Sequence, residues 1–292
     1  MTLVPALRQH WPEYLIEAWA LGTFMVSAAL FTALFEYPGS PVHRLIPDGF
    51  IRRALIGLAM GLTAIALIYS PGGQRSGAHM NPATTLTFLR LGKIMPWDAT
   101  FYIAAQFVGG IGGVLLSRLL LGGILAHSSV RYVTTVPGPA GAGAAFIAET
   151  LIACGMMLMV LFVTDTPTIA RYTGWFAGAL VFLYITFEAP LSGMSINPAR
   201  TAASAVPSGI WTSGWVYFTA PVLGMLLAAQ VYRGASGSSP GACPKLHHGT
   251  KQRCIFCGYP GENPTRHHRS NISRRGGAAS EPSADFSPPQ RR

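Results

Sequence analysis

The stretch Ser76-Gly77-Ala78-His79-Met80-Asn81-Pro82-Ala83-Thr84-Thr85 returns later in the chain as Ser192-Gly193-Met194-Ser195-Ile196-Asn197-Pro198-Ala199-Arg200-Thr201. Ser, Gly, Asn, Pro, Ala and the final Thr fall in register without a gap. One Asn-Pro-Ala arises easily by chance. Two in the same frame, each between apolar runs, point to a duplicated element.

Each copy reads as a helix start. An Asn side chain satisfies orphan N–H groups at an N-cap, and Pro suits the next position, where no N–H is needed. The first helix is expected to break at Arg90-Leu91-Gly92 and the second at Val206-Pro207-Ser208-Gly209. About eight to ten residues rise roughly 12–15 Å, near half of a hydrocarbon core of about 30 Å.

Half of the 292 residues are hydrophobic and only 11% are charged, against roughly 25% in soluble domains. That balance excludes an ordinary soluble fold and points to a multi-spanning membrane protein. Working outward from the two motifs, spans are expected at about 14–35, 50–69, 99–117, 144–164, 172–187 and 211–232. The first is too long for the apolar region of a cleaved signal peptide, about 7–15 residues. Glu17 lies in the first span of one half and Glu149 in the first span of the other. Each half then reads span, span, half-helix, span. An odd number of spans inverts the second half, so the site is expected where the broken helices meet. The fold class expected is an all-α membrane protein, with six transmembrane helices and two re-entrant half-helices in an inverted repeat. The half-repeats cover about 13–126 and 144–232 of a channel domain at 1–239.

Two helix N-termini facing each other inside a bilayer make an electropositive gap that repels cations and passes neutral solutes. Arg200 adds a fixed charge, and such residues usually face a cavity. No nucleophile and base come together, so an enzyme is not expected. A secondary transporter also uses broken helices, but only Arg200 is placed in the path as an ionisable group.

The paired motifs, with Arg200 directly after the second, resemble the aquaporin family, the major intrinsic proteins. The resemblance covers about residues 13–232. It implies a passive channel for water and small neutral solutes, in a lipid bilayer, assembled as a homotetramer. Asn81, Pro82, Ala83, Asn197, Pro198 and Ala199 would form the pore midplane. Met60, Ile185, Met194 and Arg200 would form the selectivity filter, with Gly61 an alternative to Met60. Glu17 and Glu149 would hold the re-entrant loops by hydrogen bonds; a proton relay is the other reading of them. His79 would expose backbone to the pore, with pH gating as its alternative role.

Apolar Met and Ile walls favour glycerol-like solutes, urea, ammonia, peroxide or metalloid acids. Thr201 after the filter Arg, and Tyr217 and Phe218 in the last span, look more like the water branch. Conduction is expected to need no cofactor.

The tail differs from the body. Residues 233–292 hold ten Lys/Arg against three Asp/Glu. With both termini in the cytoplasm of a plasma (inner) membrane, this excess follows the positive-inside tendency and calls for no nucleic acid. Cys243, His247, His248, Cys254 and Cys257 at 240–258 are compatible with a Cys₃His zinc or iron site. Cytoplasmic thiols or a tail-based metal or redox sensor are the other readings. Residues 259–292 are expected to be disordered.

Overall fold

The computed structural model describes residues 2–236, 243–249 and 251–261, and these contain helices and no strand. The expected disorder of 262–292 lies outside the described residues. The architecture is carried by α1 (Leu3–Glu36), α2 (Gly49–Tyr69), α3 (Pro82–Arg90), α4 (Pro96–Leu121), α5 (Gly141–Asp165), α6 (Thr173–Leu183), α7 (Pro198–Ser208) and α8 (Gly214–Ser236). A π-helical turn at Tyr184–Glu188 and a short helix at Ala189–Ser192 prolong α6. Among the described residues, six helices are long and apolar enough to cross a membrane: α1, α2, α4, α5, prolonged α6 and α8. The chain is thus a multi-pass membrane protein. The helices α3 and α7 have nine and eleven residues. They rise about 14 and 17 Å and cannot span.

The halves interlock. In the first half α1 packs along α4, and in the second α5 packs along α8; each short helix leans on the last span of the other half, α3 on α8 and α7 on α4. The long pairs touch through small residues, as membrane helices do. A Cβ on Gly109 would collide with the Ala18 carbonyl, and one on Gly224 with the Thr150 carbonyl.

One boundary departs from the sequence reading. Helix α1 starts at Leu3 rather than near residue 14 and runs for 34 residues. It rises about 51 Å and so projects beyond a hydrocarbon core of about 30 Å. Pro12 lies inside this helix and lacks an N–H, which removes one helical bond. The helix continues through it, braced by the Tyr14 hydroxyl, which reaches Ala6 O at 3.2 Å and Asp98 Oδ1 at 2.6 Å. The second short helix, α7, ends at Ser208, inside the expected break at 206–209. Gly209, at φ 72°, then ends it by donating its N–H to Ala205 O.

Candidate functional site

Loops 77–81 and 193–197 carry the two motifs, and they meet. Asn81 Nδ2 donates to Ile196 O, and Asn197 Nδ2 donates to Met80 O, both at 2.7 Å. Each amide oxygen caps its own helix. Asn81 Oδ1 accepts from Ala83 N at 2.9 Å; Asn197 Oδ1 accepts from Ala199 N at 3.0 Å and Arg200 N at 3.2 Å. The N-termini of α3 and α7 therefore stand head to head, each with about half a positive charge. An Asn amide has two N–H donors, so each keeps one beyond the bond described.

The loops are strained alike. Ala78 and Met80 take φ of 54° and 49°, and Met194 and Ile196 take 50° and 47°. A left-handed L-residue costs roughly 1–2 kcal/mol. Such a backbone cannot pair with itself, so its buried N–H groups need acceptors from elsewhere. The two buried carboxylates supply them. Glu17 accepts from Ser76 Oγ (2.7 Å), His79 N (3.1 Å), Met80 N (2.7 Å) and Gln106 Nε2 (2.8 Å). Glu149 accepts from Ser192 Oγ (2.8 Å), Ser195 N (2.7 Å) and Ile196 N (2.6 Å). Tyrosine hydroxyls repeat the symmetry: Tyr102 donates to Ser76 O at 2.7 Å and Tyr217 to Ser192 O at 2.5 Å.

One cavity of about 240 Å³ takes in Asn81, Asn197, Met60, Ile185, Met194 and Arg200. Pro82, Ala83, Pro198 and Ala199 are buried at the helix starts. Met60 lines the cavity, whereas Gly61 packs against the Gly178 backbone. Six of the ten methionines line this cavity, so its walls are soft and polarisable as well as apolar. Met156, Met157 and Met225 carried no motif and were not singled out. Arg200 Nη1 donates to Thr135 Oγ1 in the loop between α4 and α5. Nothing local in the sequence marks Thr135; only the fold brings it there.

The tail cluster is compact. Cys243, His248, Cys254 and Cys257 place their ligand atoms within 4.8 Å of one another. His247 is outside this set, with its ring against Tyr69 at 4.8 Å. The hydrogen bond with Cys243 lowers the Cys254 thiol pKa, and the same bond raises that of Cys243. Tyr259, placed by the sequence reading in the disordered stretch, accepts from Cys254 N at 2.7 Å.

Residues 9–232 match the family model described as Major intrinsic protein. Over 216 residues the chain is 38% identical to Aquaporin NIP2-2 of Zea mays, covering 73% of this chain and 71% of that protein. It is 32% identical over 217 residues to Aquaporin NIP1-1 of Arabidopsis thaliana, covering 73% and 70%. Among solved structures, the aquaglyceroporin from Plasmodium falciparum matches with a TM-score of 0.64 at 21% identity, over 78% of this chain and 98% of that one. That likeness concerns the fold.

Proposed function

The chain belongs to the major intrinsic protein family and is a membrane channel for water and small solutes, not an enzyme; from that premise we propose how it conducts. The pore runs through the cavity shared by both motifs. Asn81 and Asn197 mark its midplane, each offering one spare amide N–H to a passing solute. The facing ends of α3 and α7 repel cations there. Arg200, held by Thr135, sets the filter together with Met60, Ile185 and Met194. Conduction is passive and needs no cofactor. Glu17 and Glu149 serve structure rather than proton relay, since every bond described for them comes from the loops or from Gln106.

The observation that carries this reading is the reciprocal pair of amide bonds, Asn81 to Ile196 and Asn197 to Met80. It joins two half-helices head to head beside one cavity. A second reading, a pore mainly for glycerol-like or other neutral solutes, is favoured by the methionine lining. Stopped-flow light scattering on proteoliposomes, with water, glycerol, urea and ammonia in turn, separates the two. Water flux alone supports a strict water pore; glycerol or urea flux well above empty vesicles supports the second. Flux that saturates or needs a coupled ion would sink both in favour of a transporter. We further infer a homotetramer with both termini in the cytoplasm of a plasma membrane. The even number of spans and the basic tail support that orientation, and accessibility labelling of Cys257 from either side tests it.

A further inference from the structure

We propose that residues 243–249 and 251–261 form a metal-held cap that closes one end of the pore: a zinc-class divalent cation on Cys243, His248, Cys254 and Cys257 keeps the cap folded, Leu246 is its stopper, and loss of the ion opens the channel. The proposal rests on the channel reading above. These residues lie beyond the family match, which ends at 232.

The ligand set has the right chemistry and shape. Cys243 Sγ and Cys254 Sγ are 3.3 Å apart, and His248 Nε2 and Cys257 Sγ are 3.2 Å apart, inside a cluster no wider than 4.8 Å. Ligand atoms of a tetrahedral zinc site, bonded at about 2.0–2.3 Å, stand roughly 3.5–3.8 Å from each other. A sulfur contact of 3.3 Å is far longer than a disulfide bond of about 2.05 Å. Three thiolates and one imidazole select zinc-like ions over magnesium or calcium.

The cap has little else to fold it. Residues 243–249 and 251–261 contain no helix or strand, and their buried hydrophobics are Leu246 and Cys254. Units well below about 40 residues usually need a metal or a disulfide. Ion binding here would be folding.

The docking is specific. Leu246 N donates to Gly77 O at 3.1 Å, inside the first motif loop, and the Leu246 side chain lines the same cavity as Asn81 and Asn197. The His79 ring bonds Pro244 O through Nε2 at 2.7 Å and stacks on Phe256. Lys245 is only 2% exposed, with Nζ donating to Gln74 O at 2.8 Å and Arg253 O at 2.9 Å. Arg253 clamps Glu13, which is fully buried and also pairs with Arg75.

The metal set brackets what is inserted. Leu246 lies between ligands Cys243 and His248, and Phe256 between Cys254 and Cys257. One ion therefore fixes both segments at the flanks of the residue each sends inward. His248 and Cys257 are exposed, so the ion can exchange from the aqueous side while the cap is seated.

The test uses the full chain, purified and reconstituted. Zinc content is read by elemental analysis, and Co²⁺ replacement by its visible spectrum, which is intense for tetrahedral thiolate ligation. Water and glycerol permeabilities are then measured loaded, after stripping with a membrane-permeant chelator, and after adding Zn²⁺ back. We expect one ion per chain, at least a fivefold rise in permeability on stripping, and reversal by Zn²⁺. The double variant Cys254→Ser/Cys257→Ser should be fast and indifferent to Zn²⁺. Leu246→Gly should keep the cobalt spectrum yet conduct fast when loaded. No stoichiometric ion and no thiolate spectrum would overturn the metal site. A bound ion with equal flux in loaded, stripped and Leu246→Gly protein would overturn the stopper. If all forms stay at the rate of empty vesicles, the pore reading and the gate fall together, while the cobalt spectrum still decides the site.

Discussion

The two ends of the cavity are built from one repeated loop, and they differ in what covers it. At the first motif, a Cβ on Gly77 would meet Lys245, Phe256 and the Pro244 carbonyl. At the second, a Cβ on Gly193 would meet Thr135 and Val136. The carboxylate, the capping Asn, the left-handed residues and the tyrosine repeat at both ends. The cover does not: one is the C-terminal tail, the other the loop between α4 and α5. The residue two before each Asn follows the cover. Both bond the last Thr of their own motif, His79 Nδ1 with Thr85 at 3.1 Å and Ser195 with Thr201 at 2.6 Å, but His79 also reaches out through Nε2 to Pro244 O in the cover. A broken helix creates the same unpaired N–H groups wherever it occurs, so its support is duplicated. What lies beyond the loop answers to use, and it diverges.

Removing the shared support should have the largest effect. Glu17→Leu strands four buried donors, and Glu149→Leu strands three. Each costs about 1–3 kcal/mol, against a total stability of about 5–15 kcal/mol. Both variants should fail to give a folded peak in detergent gel filtration. With Gln instead of Leu, thermal unfolding should show the larger loss at position 17. Equal, small losses would mean that the carboxylates are not what holds the loops.

Next in size is an effect confined to one end. Arg200→Val removes the guanidinium that Thr135 holds. Glycerol flux should rise several-fold relative to water in stopped-flow measurements, with the tail cluster unaffected. An unchanged ratio removes Arg200 from the filter. Smaller again is the exchange of His79 for the residue of the other end. His79→Ser loses the Pro244 contact and the stacking with Phe256. Trypsin should then cut after Lys245 several-fold faster, while Ser195→Ala leaves that rate alone. A cap equally protected in both would show that His79 does not help seat it.

What the sequence could reveal tracks the same division. The two Asn-Pro-Ala frames, the six spans, Glu17 and Glu149 were legible because duplication and apolar length are written along the chain. Met60, Ile185 and Met194 could be placed from motif spacing, and they do share one cavity with Arg200. The partners from distant segments were not legible. Thr135 precedes Arg200 by 65 positions, and Arg253 follows Glu13 by 240. No period or motif announces a contact of that range. Lys245 read as part of a solvated basic tail, yet it is buried with its ammonium on the carbonyls of Gln74 and Arg253, which only folding brings together. The cysteines were noticed, but their chemistry did not say that Leu246 between them bonds the first motif loop and lines the shared cavity.

The smallest effect tests whether the two ends are equivalent beneath their covers. Tyr102→Phe and Tyr217→Phe each delete one hydroxyl bonded to a motif carbonyl, Ser76 O or Ser192 O, and keep the ring. A net hydrogen bond is worth about 1 kcal/mol, so the two unfolding midpoints should fall by similar small amounts. Tyr102 differs in one respect: its ring also meets Phe256 of the tail edge-on, with centroids 6.0 Å apart. Phe preserves that contact, so it should not separate the pair. If Tyr102→Phe costs clearly more, the hydroxyl also supports the cap, and the first end is not a bare copy with a cover laid over it. If the losses match, support and cover are independent layers, and the cap can leave without loosening the loop beneath.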